Sequence, residues 1–222
     1  MILVKVNLRF RKTKVKIYFC KNWTSRHLQL GHHGPAITIM WAIRWRLEVS
    51  AYGMVNRCRL DPVAARHGRV VREATVSIME IRSEGIPYRN GLIDVVMRVT
   101  VFSDLRAAKV KVFSLSDEPV QFVTGLNHRK GEQFIAGDDY YLNWASASGG
   151  VTDGAIEVGA AILFDADDFV QAMDDPSQAL LISKPCKQLE YWICSANSNE
   201  AELNTMAAFK RFVADHHGES VN

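Results

Sequence analysis

Ile93-Asp94-Val95-Val96-Met97-Arg98-Val99-Thr100-Val101-Phe102 is the stretch that decides the fold class. Ile93, Val95, Met97, Val99 and Val101 alternate with Asp94, Val96, Arg98, Thr100 and Phe102. This is the period-two pattern of a strand with one face buried and the other partly so. Ser103-Asp104 breaks the run. Ala108, Val110 and Val112 then alternate with Lys109 and Lys111, and Ser114 to Pro119 supplies a turn. Val120, Phe122 and Thr124 follow. Beyond a polar, glycine-bearing loop come Tyr140 to Trp144 and then Ala155 to Phe164, both strand-like. Strands this close together read as antiparallel neighbours, because a parallel crossover takes about a dozen residues or more.

Outward from this stretch the pattern stays β. Val4, Val6, Leu8 and Phe10, then Val15, Ile17 and Phe19, alternate with polar residues around Arg11-Lys12-Thr13, which predicts a basic hairpin within residues 1–30. Ile37 to Val49 and Thr75 to Ile81 read as strands. Asn56 to Gly68 reads as a connection, and Ser83 to Gly91 as a long turn. Asp165 to Asp168 predicts a short helix through Met173, and Ala179 to Ile182 and Leu189 to Ser195 two further strands. Ser198-Asn199 ahead of Glu200 and Glu202 reads as a helix start, with Leu203, Met206, Phe209 and Val213 on one face. The expectation is a single domain over 1–222, a mostly β antiparallel sandwich with a C-terminal α-helix.

Of the 222 residues, 48% are hydrophobic, enough for a substantial core. The net charge of +3 conceals an asymmetry. Residues 1–47 hold ten Lys and Arg and no acid, whereas the remainder carries 17 basic and 24 acidic residues. Such a segment can bind polyanions; the competing reading is a solvated strand face that discourages edge pairing. Arg9, Arg11, Lys14 and Lys16 lack interleaved aromatics, which disfavours nucleic acid. No apolar run reaches the roughly 18 residues of a membrane span. Met1 to Val6 does not read as a secretory signal, so either the protein stays in the cytoplasm or its natural N-terminus is a different one. The cysteines, at 20, 58, 186 and 194, form no CxxC pair, and Cys20 and Cys194 read as buried thiols. No metal or cofactor is expected: GxGxxG, Walker, GxSxG, HExxH and EF-hand patterns are all missing.

Three polar stretches could carry chemistry. His32-His33, in the loop Gly31 to Ala36, could exchange protons near neutral pH. Gly125 to Glu132 gathers His128 with Arg129 and Lys130, cations suited to a carboxylate. Asp138-Asp139 with Tyr141 and Trp144 could hold a ring by stacking. Each has a plainer alternative: solvated loops for the histidines, core packing for Tyr141 and Trp144. Glu157, alone in an apolar run, reads as turned to solvent.

Gly31-His32-His33-Gly34-Pro35-Ala36, Ala42 to Arg46, Ala51-Tyr52-Gly53 and Val120 to Leu126 resemble a bacterial domain family of unknown function associated with polysaccharide degradation. Gly154 to Gly159 and Glu190-Tyr191-Trp192 fit the same plan, and the coverage runs from about Gly31 to the C-terminus. That family is similar to galactose-mutarotase-like β-supersandwich proteins. This chain lacks the family's acid after the His-Gly-Pro-Ala loop and its secretion signal, and is short for it. The resemblance implies a periplasmic or extracellular setting and an oligosaccharide or polysaccharide partner containing uronic acid. It also implies carbohydrate-facing roles for His32, His33 and His128. The expected chemistry is binding, with cleavage or isomerisation as its extension. His33 or His128 would be the base, Arg129 or Lys130 the carboxylate neutraliser, and Glu190 the acid of a mutarotation. The rivals are a non-catalytic sugar-binding module using Tyr141, Trp144 and Trp192, and a polyanion binder using the basic N-terminal segment. The sharpest expectation is that the His32-His33 and His128–Lys130 loops share one concave face, with neighbouring cations lowering the imidazole pKa.

Overall fold

The structure, a computed structural model, describes residues 4–10, 13–19, 36–38, 63–146, 156–175 and 178–220, with side chains over 63–146, 156–174 and 178–216. Strands β1 (Val4–Phe10) and β2 (Thr13–Phe19) pair antiparallel, Leu8 opposite Val15, as the predicted hairpin. The short β3 (Ala36–Thr38) adds in parallel to β2. The side chains of Arg9, Arg11, Lys14 and Lys16 lie outside the described residues, and so does the expectation that they face water.

The rest is built from two antiparallel sheets and a helix. The large sheet contains β4 (Ala65–Arg72), β5 (Val76–Tyr88), β6 (Gly91–Phe102), β7 (Ala108–Ser114), β9 (Gln133–Ala136), β10 (Tyr140–Ser146), β11 (Glu157–Leu163) and β14 (Gln188–Asn197). Their order is β4-β5-β6-β7-β14-β11-β10-β9. The small sheet runs β12-β13-β8, from β8 (Val123–Asn127), β12 (Phe169–Asp175) and β13 (Gln178–Ser183). Between the sheets lies the larger core, where Val95, Met97, Val99, Val110, Val112, Leu189 and Tyr191 meet Phe122, Leu126, Ala179 and Leu181. The odd-numbered residues of β6 thus face inward, as their alternation required. The mostly β sandwich with a C-terminal helix is the fold.

The second core lies on the opposite face of the large sheet. Helix α1 (Met206–Ser220) sets Phe209 and Val213 against Leu142, Trp144, Ala161, Leu163, Cys194 and Ala196. It covers only the β10-β11-β14 end. Among the described residues no helix covers the outer face over β4 to β7 and the first half of β14. The helix begins later than expected, at Met206, where the Thr205 hydroxyl accepts a hydrogen bond from the Ala208 N–H at 3.2 Å. Asn197, Asn199 and Glu200 are spent on a turn after β14 instead. Asn197 Oδ1 accepts from the Asn199 N–H at 2.9 Å, and its amide donates to Glu200 at 2.8 Å.

Three further expectations are corrected. Asp165 caps only one 3₁₀ turn, Ala166–Asp168, and the chain from Phe169 joins the small sheet as β12. The Phe169 ring packs at 5.2 Å on Phe164, a contact that favours extended backbone over a continuing helix. The expected connection Asn56 to Gly68 contains the start of β4, whose side chains are nearly all exposed and so show no apolar alternation. Ser83 to Tyr88 is strand, and the turn before β6 is only Arg89-Asn90. A bulge between Ser83 and Ile86 inserts one extra residue opposite Asp94 and returns Ile86 and Tyr88 to the inner face. Gly85 adopts φ 67 there, and its N–H donates to Asp94 Oδ1 at 3.1 Å.

Candidate functional site

The sequence-derived candidates divide into three groups. His32 and His33 lie outside the described residues, and with them the shared concave face. Tyr141 and Trp144 are not stacking platforms but core side chains, 7% and 2% exposed. Tyr141 sits edge-on between Phe134 and Phe164, and Trp144 lies under α1 against Phe209. Both lie on β10, buried by the small sheet on one face and by the helix on the other. His128, Arg129, Lys130 and Glu190 are at the surface, in two separate places.

His128 follows β8 and is held between two carboxylates. Its Nδ1 meets Glu132 Oε1, and its Nε2 meets Asp174 Oδ1, on β12, at 2.6 Å. Glu132 is 10% exposed. Its other oxygen accepts from the Arg129 N–H at 2.9 Å and from the Asn143 amide at 3.1 Å. Asn143 also donates to the Asn127 carbonyl at 2.9 Å. Burial pulls the His128 pKa down, but the hydrogen bonds and charges of Asp174 and Glu132 outweigh it, and the net direction is up. This reverses the expected sign. A neutral base primed by Arg129 and Lys130 would need the cations at the ring, whereas the loop offers only the Arg129 backbone there. Lys130 sits exposed in the turn, and neither cation forms an ion pair among the described residues. Glu132, four residues after His128, was legible as a helper; Asp174, a distant position in the chain, was not.

Glu190 belongs to the open outer face of the large sheet. Arg69, Glu80, Arg98, Lys111 and Glu190 stand directly opposite one another across β4, β5, β6, β7 and β14. Glu80 accepts from Arg69 at 2.9 Å and from Arg98 at 2.8 Å. Glu190 is bound by Lys109 at 2.5 Å and by Lys111 at 2.8 Å. Those two lysines hold the Glu190 carboxyl below the usual carboxylate range. It is therefore an ionised acceptor held by two cations near neutral pH, whereas the acid of a mutarotation needs a proton to give. Burial raises the Glu80 carboxyl, but the hydrogen bonds from Arg98 and Arg69 bring it down on balance.

The row has a seam. Arg98 and Lys111 are cross-strand neighbours of like charge, and each finds its carboxylate on the far side. Like charges directly opposite each other cost stability in a sheet. Lys109 extends the seam along β7. Aromatic rings flank it on both sides. Trp192 lies opposite Lys109, whose ammonium is 5.9 Å from the ring centre, and the Arg98 guanidinium is 5.7 Å from Phe113. Phe102 packs 6.0 Å from Trp192. The side chains of Arg98, Lys109, Lys111 and Glu190 are 30–38% exposed, so their charged ends reach solvent. Two cation–aromatic pairs thus sit on one face. Lys109 and Phe113 are four residues apart on β7, about 13 Å at the usual strand rise. Residue alternation alone assigned these side chains to an outer face. It could not show that they form one row, because the strand order β7-β14 was hidden.

Among the described residues no group of three His, Cys, Asp or Glu could hold a metal ion, and no helix is long and apolar enough to cross a membrane. The chain matches no protein-family model and no curated protein sequence.

Proposed function

We propose that the protein is a non-catalytic binding module for acidic oligosaccharides, with the open face of β6, β7 and β14 as its site. The observation that carries this reading is the unalternated cationic seam Arg98-Lys111-Lys109 between Trp192 and Phe113. The row holds four cations against two carboxylates, so excess positive charge is available to a ligand carboxylate. The half-buried rings offer apolar faces at fixed positions beside those cations. The resemblance of the loop motifs to polysaccharide-associated domains points to a sugar as the anion's carrier and to the galactose-mutarotase-like supersandwich as the finer fold. Catalysis finds less support: His128 is clamped by two carboxylates, and Glu190 stays ionised between two lysines.

Calorimetric titration with oligogalacturonates, and with neutral oligosaccharides of equal length, tests the reading. Acidic sugars should bind and neutral ones should not, with affinity falling as salt rises. Trp192→Ala should weaken binding roughly tenfold, the worth of one aromatic contact. Lys109→Ala combined with Lys111→Ala should abolish the acidic preference. Equal binding of neutral and acidic sugars would overturn the proposal.

A further inference from the structure

We propose that His128 is a pH-released clasp that ties the edge strand β12 to the loop between β8 and β9. Both ring nitrogens point at carboxylate oxygens, of Glu132 on one side and Asp174 on the other. A carboxylate is an acceptor only, so both nitrogens must donate, and only the imidazolium carries two N–H groups. When the ring loses a proton, one nitrogen presents a lone pair to a carboxylate, and that contact turns repulsive.

The contact that yields is set by burial. Glu132 is 10% exposed and keeps the Arg129 N–H and the Asn143 amide, whereas the Asp174 side chain is 74% exposed and free to turn into water. Deprotonation therefore releases Asp174 and leaves the His128–Glu132 pair in place. Asp174 stands near the end of β12, which pairs only with β13 among the described residues. The charged groups around the clasp are Glu132, Arg129 and Lys130 from its own loop and Asp174 from β12. From β10 comes Tyr141, whose hydroxyl is held in its protonated form by burial first and by the charge of Asp174 second, and β9 contributes only the Phe134 ring edge, 5.1 Å away. Because the folded-state pKa is raised, the tie is at full strength below the ordinary histidine value of about 6.5. It is lost as pH rises through the folded value, so the window opens above that ordinary value.

Amide hydrogen exchange on the full chain, corrected for intrinsic chemistry, tests the clasp at about pH 5.5 and about pH 8.5. Amides from Ala172 to Asp175 should exchange roughly 10- to 100-fold faster at the higher pH, the scale of one hydrogen bond to a charged group. The β6 and β7 amides should hold steady. Asp174→Asn should show the fast exchange at both pH values, and His128→Gln the same. Should His128→Gln fail to fold, the wild-type profile and Asp174→Asn decide the matter. Flat protection of β12 across this range in the wild type, or an unchanged pH dependence in Asp174→Asn, would overturn the proposal.

Discussion

Phe209→Ala is expected to cost about 3–5 kcal/mol, the range for truncating a fully buried aromatic. Phe209 is 0% exposed and sits on α1 directly above the β10-β11-β14 end of the large sheet. Its ring lies 6.2 Å from that of Trp144. The space it fills exists because residue 159 is a glycine. A Cβ there would stand 2.6 Å from both the Phe209 and the Trp144 rings. With the phenyl group gone, strand backbone on one side and indole on the other cannot collapse inward, so a cavity remains. Val213, one turn on, is also 0% exposed and cannot hold the helix alone. Chemical denaturation should show a lower midpoint with an unchanged slope. A loss below about 1 kcal/mol, the typical effect of an average substitution, would mean that the helix does not close the second core.

Gly125→Ala should be comparably damaging for a different reason. Gly125 lies in β8 opposite Leu180, with φ 154. An added Cβ would come within 2.0 Å of the Ala179 carbonyl oxygen and 3.0 Å of the Leu180 Cα. Both are backbone atoms of β13, every residue of which is buried. Neither can move without breaking the small sheet, so overlap and backbone strain together predict a loss of about 3 kcal/mol or more. Gly131 provides the control. It has φ 72 but open space around its Cα, so Gly131→Ala should cost only about 1–2 kcal/mol for the left-handed conformation. Thermal unfolding of the two variants side by side checks the order; equal losses would refute the steric account.

Both positions show which parts of the fold could be read in advance. Period-two alternation in Ile93–Phe102 and Ala108–Val112 reported the inner face directly, because each side chain's burial depends only on its own strand. Alternation failed where the backbone changed its own rule. The bulge at Ser83–Ile86 shifts the parity by one, so a continuous strand looked like a turn. Gly125 carries no side chain to reveal that it touches β13. The helix start was misplaced because Asn199 and Glu200, read as its cap, belong to a turn in which Asn197 hydrogen-bonds both. The site was legible in composition but not in arrangement. His128 was singled out for its chemistry, yet the direction of its pKa shift depended on Asp174, which only the β12–β13 hairpin delivers to it. Lys109, Lys111 and Glu190 become a charged row only once β7 and β14 are known to be neighbours. For Tyr141 and Trp144 the chemistry left platform and core packing both open, and two separate cores claimed them.

The central claim is that an acidic oligosaccharide lies on the open face of the large sheet. Two-dimensional NMR of the isotopically labelled chain during titration with tetragalacturonate tests it most directly. The account predicts that the Trp192 indole N–H and the backbone amides of Arg98, Lys109, Lys111, Phe113 and Glu190 shift together along one binding isotherm. The resonances of α1 and of the His128 loop should stay still. Shifts confined to the His128 loop or to the basic residues 1–47, with the Trp192 indole unmoved at saturation, would contradict it.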